Sequence, residues 1–121
     1  MAYVTKDALA LLPLVEREEP SAVFGGVLCL RELTRAQYKA VVSTAVRPDK
    51  SLDADVFNAG LFGAGVVDPS TKAPLWTPAQ LLDLPARNEL WNEIGRVADI
   101  IYGLLEVSPA AFRSGVSEPD A

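Results

Sequence analysis

The sequence contains no histidine. Histidine is the commonest general base and metal ligand, and it belongs to every Ser-His-Asp and Cys-His catalytic arrangement. Its absence therefore excludes nucleophilic catalysis of the usual kind. The single cysteine, Cys29, lies between two leucines and excludes an intrachain disulfide. We interpret it as a small buried hydrophobic residue, which suits a reducing compartment.

Basic residues are few, and no long apolar run is present. Lysine and arginine number 11 against 16 acidic residues, for a net charge of −5 that repels phosphate backbones. The longest uncharged stretch, residues 56–67, is far shorter than the ~20 residues that cross a bilayer. The N-terminus has no basic segment, and Pro13 interrupts its apolar run, unlike a signal peptide. We expect no nucleic-acid partner, no membrane partner and no export.

What is present predicts one folded domain. The chain has 121 residues and 50% hydrophobic content, enough to bury a modest core without disulfides. We predict a short helix and an acidic connector in residues 1–21, a helical domain in residues 22–108, and a flexible tail in residues 109–121. In the first of these, Thr5 caps the helix and Pro13 ends it.

Strand signals are confined to the N-terminal third. Leu14–Ser21, LVEREEPS, is charged and contains a proline, so we predict an extended connector there. In Ala22–Leu30, two β-prone runs flank Gly25 and Gly26, a pattern typical of a hairpin. A single bent strand fits this pattern equally well, because a Gly-Gly pair specifies turn type only loosely.

Helix signals dominate the rest. The capping boxes Thr34-Arg-Ala-Gln37 and Thr77-Pro-Ala-Gln80 predict helices over residues 35–46 and 78–84. A final helix is predicted from residue 86 to about 107 by apolar residues that advance in steps of four and three. That stripe consists of Leu90, Ile94, Val97, Ile101 and Leu104. The predicted fold is mainly α: about four to five helices with a short N-terminal β hairpin.

A third helix begins near two aspartates. Ser51 or Asp53 can cap it, and Asp53 and Asp55 lie where the positive end of the helix dipole favours acids. The alternative use of these two carboxylates is a metal site in a small metal-dependent enzyme. We favour the structural role.

The same helix contains the run VFNAGLFGAG, in which small residues recur four positions apart. Ala59 with Gly63 and Gly60 with Ala64 form two such pairs, which allow another backbone to approach closely. Each interior glycine costs about 1 kcal/mol against alanine, so we predict that the closeness is needed. We interpret the segment as a helix buried on nearly every side, with Gly65 as its left-handed C-cap. Whether one face also packs on a partner stays open.

The two tryptophans and one pair of charged residues also have predicted roles. Trp76 can pack on Leu81 as a hydrophobic staple at the start of the short helix. Trp91 fits the core of the last helix, and an exposed aromatic anchor is the functional alternative for both tryptophans. Glu93 and Arg96 can form a surface pair that contributes a few tenths of a kcal/mol.

The order of these motifs resembles that of the tail assembly chaperones of long-tailed bacteriophages and prophages. The matching segments are Arg31-Glu32-Leu33-Thr34, Val66-Val67-Asp68-Pro69 and Trp76-Thr77-Pro78-Ala79-Gln80. In that family a strand ends in an Arg-Glu-Leu-Ser/Thr cap, a helix ends in small residues before a Val-x-Asp-Pro exit, and a Phe/Trp-Thr start opens a short helix. The resemblance covers roughly residues 22–108.

The resemblance implies a non-enzymatic assembly factor without a cofactor. Such a chaperone binds and solubilises the tape-measure protein before the tail tube protein polymerises around it, and then leaves. We accordingly expect a host cytoplasmic location, absence from the mature virion, and a longer frameshifted form as a further partner. The alternatives are a small acidic prophage-encoded regulator that binds a protein, and the metal-dependent enzyme mentioned above.

Association is expected through apolar faces rather than through charge. The final helix is apolar over more than half its circumference, and a domain of this size has only a small core to receive that surface. We therefore predict a homo-oligomer or a complex with a long helical partner. The predicted partner-binding residues are Phe57, Gly60, Leu61, Gly63, Trp76, Trp91 and Tyr102.

Overall fold

The computed structural model describes Tyr3 and residues 14–105. Within these residues the chain forms three strands and four helices. They are β1 (Glu16–Ser21), β2 (Gly26–Arg31), α1 (Arg35–Ala45), α2 (Ala54–Gly65), β3 (Val66–Val67), α3 (Pro78–Leu82) and α4 (Asn88–Leu104). The expectation of a mainly α fold with one hairpin is wrong, because a three-stranded antiparallel sheet makes this a small mixed α/β domain. The predicted helix after Thr5 and the tail over residues 109–121 lie outside the described residues.

The sheet has the order β1-β2-β3 with both pairings antiparallel. Ser21 lies opposite Gly26, and the intervening turn contains Gly25 with a φ of 77°. Glycine adopts this left-handed conformation without steric cost. On the other side of β2, Leu30 lies opposite Val66 in β3. The third strand is thus the extended exit from α2, brought back beside the hairpin.

The hairpin is displaced from its predicted position. Ala22–Phe24, expected as its first strand, forms the turn, and the first strand is instead the acidic segment expected as a connector. Of that strand, Glu19 and Ser21 are buried while their neighbours are exposed. Both buried side chains contact polar side chains of α4, so a strand with almost no apolar residues still has a face that packs.

The predicted N-terminal caps of α1, α2 and α3 are confirmed. Gln37 N–H donates to Thr34 Oγ1 and Thr34 N–H donates to Gln37 Oε1, over 3.1 and 2.8 Å. Thr77 and Gln80 make the same reciprocal pair at the start of α3. Of the two candidates for α2, Asp53 is the cap: its Oδ1 accepts from the two backbone N–H groups that follow at the first turn. Each cap satisfies donors that the helix cannot pair internally.

The core forms where α2 packs between its neighbours. Leu30 of β2, Phe62 of α2 and Ile94, Val97 and Ile101 of α4 are all fully buried. The apolar stripe predicted for the last helix is therefore its core face. At 17 residues α4 is the longest described helix, and none of the helices in the described part of the chain could cross a bilayer.

The glycines of α2 allow close helix contacts. A Cβ placed on Gly60 would lie 2.7 Å from Cγ1 of Val41 in α1, and one on Gly65 would lie 2.7 Å from both Cδ1 and Cγ2 of Ile101 in α4. Such distances are far below van der Waals contact. The predicted need for closeness is confirmed, but Gly65 is not a left-handed cap. Its backbone is helical, Val66 is the C-cap, and among described glycines only Gly25 has a positive φ.

Candidate interaction surface

An open groove of about 470 Å³ lies between α1 and α3, with α2 as its floor. Exposed Ala40 and Thr44 line it from α1, and exposed Ala79 lines it from α3. Gly60 and Ala64 form the floor, and because these residues are small they leave the space above them open. The groove therefore exists because small residues face one another across three helices.

The chemistry of this groove is apolar. Its two polar residues, Gln37 and Thr44, are both engaged with the backbone of the α1 region: Gln37 Oε1 accepts from the N-cap N–H, and Thr44 Oγ1 donates to Ala40 O over 2.9 Å. The rest of the lining is almost entirely methyl and methylene groups. Apolar side chains of a partner would therefore gain most by binding there.

A second, polar groove of about 850 Å³ is lined mainly by α2 and α4 and reaches the end of α3. Leu82, whose side chain is 42% exposed, lines both grooves and forms the ridge between them. The polar groove is lined by carboxamides and carboxylates from α2 and α4. These are Asp55, Asn58, Asn88, Asn92 and Asp99.

Trp91 forms part of the wall of the polar groove. Its indole Nε1–H donates to Pro85 O over 3.0 Å, which holds the ring against the segment that precedes α4. The ring is partly buried against the core. Trp91 thus packs on the core with one part of its ring, as predicted, and the remainder lines an open surface. Its role as an aromatic anchor stays a prediction.

An ionic cluster adjoins the polar groove and joins α4 to β1. Arg96 donates to Glu19 over 2.6 Å and to both oxygens of Glu93 over 2.8 and 2.7 Å. Ser21 Oγ donates to Glu93 over 2.5 Å. The hydrogen bonds from Arg96 and then Ser21 lower the pKa of Glu93 to about 2. Arg96, which lines the polar groove, is therefore already neutralised by two carboxylates.

The remaining acids of the polar groove are not paired in this way. Neither Asp55 nor Asp99 makes an ion pair within the described residues. α2 contains no basic residue, and the one basic residue of α4, Arg96, is already engaged by Glu19 and Glu93. The groove therefore carries a net negative charge that faces solvent.

Three predicted partner-binding residues lie inside the fold. Leu61 is only 1% exposed and belongs to the core. Gly63 is buried beneath Pro78, whose backbone nitrogen would lie 3.2 Å from an added Cβ. Gly60 is also buried, yet it lines the floor of the apolar groove. Of the three, Gly60 alone is brought to a described groove.

The other predicted aromatic residues form two separate groups. Trp76 stacks on Phe62 with ring centroids 5.9 Å apart and lies partly buried against the core. Phe57 and Tyr102 pack edge to face at 6.3 Å, and Tyr102 also meets Tyr38 at 6.2 Å. The predicted residues are therefore spread over several surfaces and do not form one site.

The sequence reasoning missed the groove walls, above all Ala40, Thr44, Ala79 and Leu82. The available signal was the small size of exposed residues on α1 and α3. That signal is weak, because exposed alanines are favourable in any helix. Only the packing of α1 and α3 on either side of α2 turns them into the walls of one groove.

Of the two aspartates proposed as metal ligands, Asp53 has structural contacts through its carboxylate. Asp53 Oδ1 accepts from the backbone N–H groups of Asp55 and Val56, and its Oδ2 lies 3.5 Å from Arg47. These contacts lower the pKa of Asp53, chiefly through the bond from Val56. Across the part of the chain that is described, no three acidic, cysteine or histidine residues are grouped to hold a metal ion.

Comparison with known proteins gives no assignment. The chain matches no protein-family model, no curated protein and no solved structure. A functional interpretation therefore rests on the two grooves, on the charges around them and on the order of motifs along the sequence.

Proposed function

We propose that the protein is a non-enzymatic tail assembly chaperone of a long-tailed bacteriophage or prophage. In this role it binds the tape-measure protein and keeps it in solution until the tail tube protein polymerises around it. The order of the capping and exit motifs supports this proposal. The observation that carries it is the open apolar groove between α1 and α3.

The shape of the groove suits a helix better than a small substrate. It is an open trough with an apolar lining, whereas small-molecule sites are enclosed and contain convergent polar groups. α1, which forms one wall, has 11 residues. The part of α1 that lines the groove runs from Gln37 to Thr44, and at 1.5 Å per residue it is roughly 12 Å long, enough for about two turns of a docked helix. Long helical segments are the partners that such a trough can hold.

The proposal extends to where and with what the protein acts. It works in the host cytoplasm, with the tape-measure protein as its main partner and the tail tube protein as a possible second one. It associates with further copies of itself and with a longer frameshifted form. It is absent from the mature virion, because a chaperone that coats the tape-measure protein must leave before the tube closes.

Co-expression tests the proposed function. The tape-measure protein encoded in the same genome is produced with the chain, without it, and with a similarly sized acidic protein as the control. We expect the chain to move the tape-measure protein into the soluble fraction and to co-purify with it. If the tape-measure protein stays insoluble or fails to co-purify, the proposal is wrong. Co-purification with a different protein instead would support the regulator.

A further inference from the structure

We propose that the two grooves together select a basic amphipathic helix. Apolar side chains of that helix fill the α1–α3 groove, and a lysine or arginine on its flank passes over Leu82 into the polar groove. There the cation meets Asp55 and Asp99. The inference rests on the proposed function in taking the apolar groove as the partner-binding surface, and it adds the chemistry of the segment that binds.

The two grooves are neighbours that meet at α3 and at the start of α2. Leu82 lines both of them. In α2, two successive residues are divided between them: Asp55 lines the polar groove and Val56 lines the apolar one. A helix that lies in the apolar groove therefore has a flank beside the polar groove. Lysine and arginine side chains are long enough to reach across a single leucine.

The polar groove is suited to a cation. Asp55 and Asp99 supply negative charge, and Arg96 does not offset it because its guanidinium is bound to Glu19 and Glu93. The carboxamide oxygens of the three asparagines in this groove can accept hydrogen bonds from an ammonium or guanidinium group. The ring of Trp91 offers a further favourable contact for a cation.

The same charges argue against other occupants. A second copy of this chain would bring a net charge of −5 toward an acidic groove. An acidic peptide would meet the same repulsion, since like charges at an interface disfavour the wrong partner. A basic segment from another protein is therefore the occupant that we propose.

Labelled peptides test the inference directly. Two amphipathic peptides of about 15 residues share one apolar face and carry either lysine or glutamate along its flank, a design that follows the helix-in-groove mode. Fluorescence anisotropy measures their affinity for the purified full chain. At low salt we expect the lysine peptide to bind at least about fivefold more tightly, and we expect the difference to narrow as salt rises. Equal affinity, or no binding by either peptide, overturns the inference.

Variants show where the peptide binds. Ala40 and Ala36 are both exposed on α1, but only Ala40 lines the apolar groove. Ala40→Lys places a long side chain in the groove and is expected to lower the affinity for both peptides at least about tenfold, as blocked central contacts do. Ala36→Lys adds the same charge and is expected to bind like the native chain. Binding that is unchanged in Ala40→Lys contradicts the inference.

The charge selection has its own variant. Removing both carboxylates in Asp55→Asn with Asp99→Asn should abolish the preference for lysine over glutamate while leaving an apolar interaction in place. A thermal melt verifies that the double variant is folded. A lysine preference that persists in the folded double variant also contradicts the inference.

The outcomes separate this inference from the proposed function. If the lysine peptide binds as expected but the tape-measure protein does not co-purify, the proposed function is wrong and the groove chemistry stands. If the tape-measure protein co-purifies equally well with the native chain and Ala40→Lys, the groove inference is wrong and the chaperone function stands.

Discussion

α2 meets α4 on one side and α1 and α3 on the other, and the two sides differ in whether space is filled. Toward α4, the missing Cβ of Gly65 is replaced by the side chain of Ile101. Toward α1 and α3, a Cβ on Gly60 would also meet a side chain, that of Val41, but the groove beside Gly60 and Ala64 stays open. A run of small residues in a helix therefore predicts that other helices approach it closely. It does not predict whether the remaining space is filled or left open. Small residues make a packed contact where a helix covers them and an open surface where none does.

α4 also fills its contact with the sheet, by different chemistry. Its contacts with β1 are ionic, with Arg96 held between Glu93 of its own helix and Glu19 of β1. The surfaces of α2 and of the sheet that lie against α4 are thus covered by residues of the same chain. Substitutions there should change folding, while substitutions in the groove should change mainly binding.

The largest effect is expected at Gly65. Gly65→Ala places a methyl group against two atoms of Ile101 at 2.7 Å, inside a contact with no free space. Overpacking of this kind should lower the free energy of unfolding by about 2–3 kcal/mol. Chemical denaturation measures the change. An unchanged denaturation midpoint would show that α4 shifts to accept the methyl group without loss of stability. The difference that we describe between the two sides of α2 would then be wrong.

The ionic contact should respond to acid. The folded-state pKa of Glu93 is about 2, below its ordinary value of 4.5. A lowered pKa stabilises the fold above the unfolded-state value, and this stability is lost as the pH falls toward the folded-state value. The native chain should therefore lose stability between pH 4.5 and about 2. Urea denaturation over that range measures the loss.

Glu93→Gln removes the charged acceptor and should cost about 2 kcal/mol at neutral pH, because hydrogen bonds to a charged group are lost. Its stability should also fall less steeply in acid than that of the native chain. Glu18→Gln is the matched control, since Glu18 is exposed on β1 and makes no side-chain hydrogen bond within residues 14–105. Equal acid sensitivity of Glu93→Gln and the native chain would contradict the role of this cluster.

A smaller effect is expected at Gly60. A Cβ there would also lie 2.7 Å from a neighbour, but that neighbour is Val41, a side chain that lines the open groove and has space beside it. Gly60→Ala should therefore cost only about 1 kcal/mol, at the lower end for overpacking. Chemical denaturation of Gly60→Ala and Gly65→Ala under the same conditions compares the two sites. An equal loss in the free energy of unfolding would show that the groove side of α2 is as rigid as the core side.

The smallest change should be a gain. Gly103 lies in the last turn of α4, and an added Cβ there meets nothing within 4 Å in the described structure. Gly103→Ala should stabilise the fold by roughly 0.5 kcal/mol, because alanine loses less backbone entropy than glycine in a helix. Thermal denaturation detects the gain. A loss of stability would place a neighbour against this position.

The local features of the fold were predictable from the sequence. The capping boxes and the apolar stripe of α4 depend on residues within a few positions of one another, and they were predicted at almost their observed positions. β1 was not predicted as a strand. Its buried residues Glu19 and Ser21 bind Arg96 and Glu93, which lie 77 and 72 residues further along the chain. A period-two pattern of polar residues carries no hydrophobic signal.

The candidate surface was predictable only in part. Small residues at Gly60 and Ala64 indicated a close contact, and Trp91 was recognised as a possible anchor. The groove itself depends on the positions of α1 and α3 relative to α2, which no local pattern encodes. Leu61 illustrates the limit: it shares the apolar run with Gly60, but the direction of its side chain places it in the core.

The composition of β1 has a consequence for the behaviour of the sheet edge. Among the described strands β1 has a neighbour on one side only. Unpaired backbone groups on such an edge invite strands of other chains, which leads to aggregation. β1 has the sequence EREEPS, in which charges repel an approaching strand of the same sequence and Pro20 lacks an N–H to donate. A domain with an open apolar groove thus also has a sheet edge whose charges and proline discourage pairing with strands of other chains.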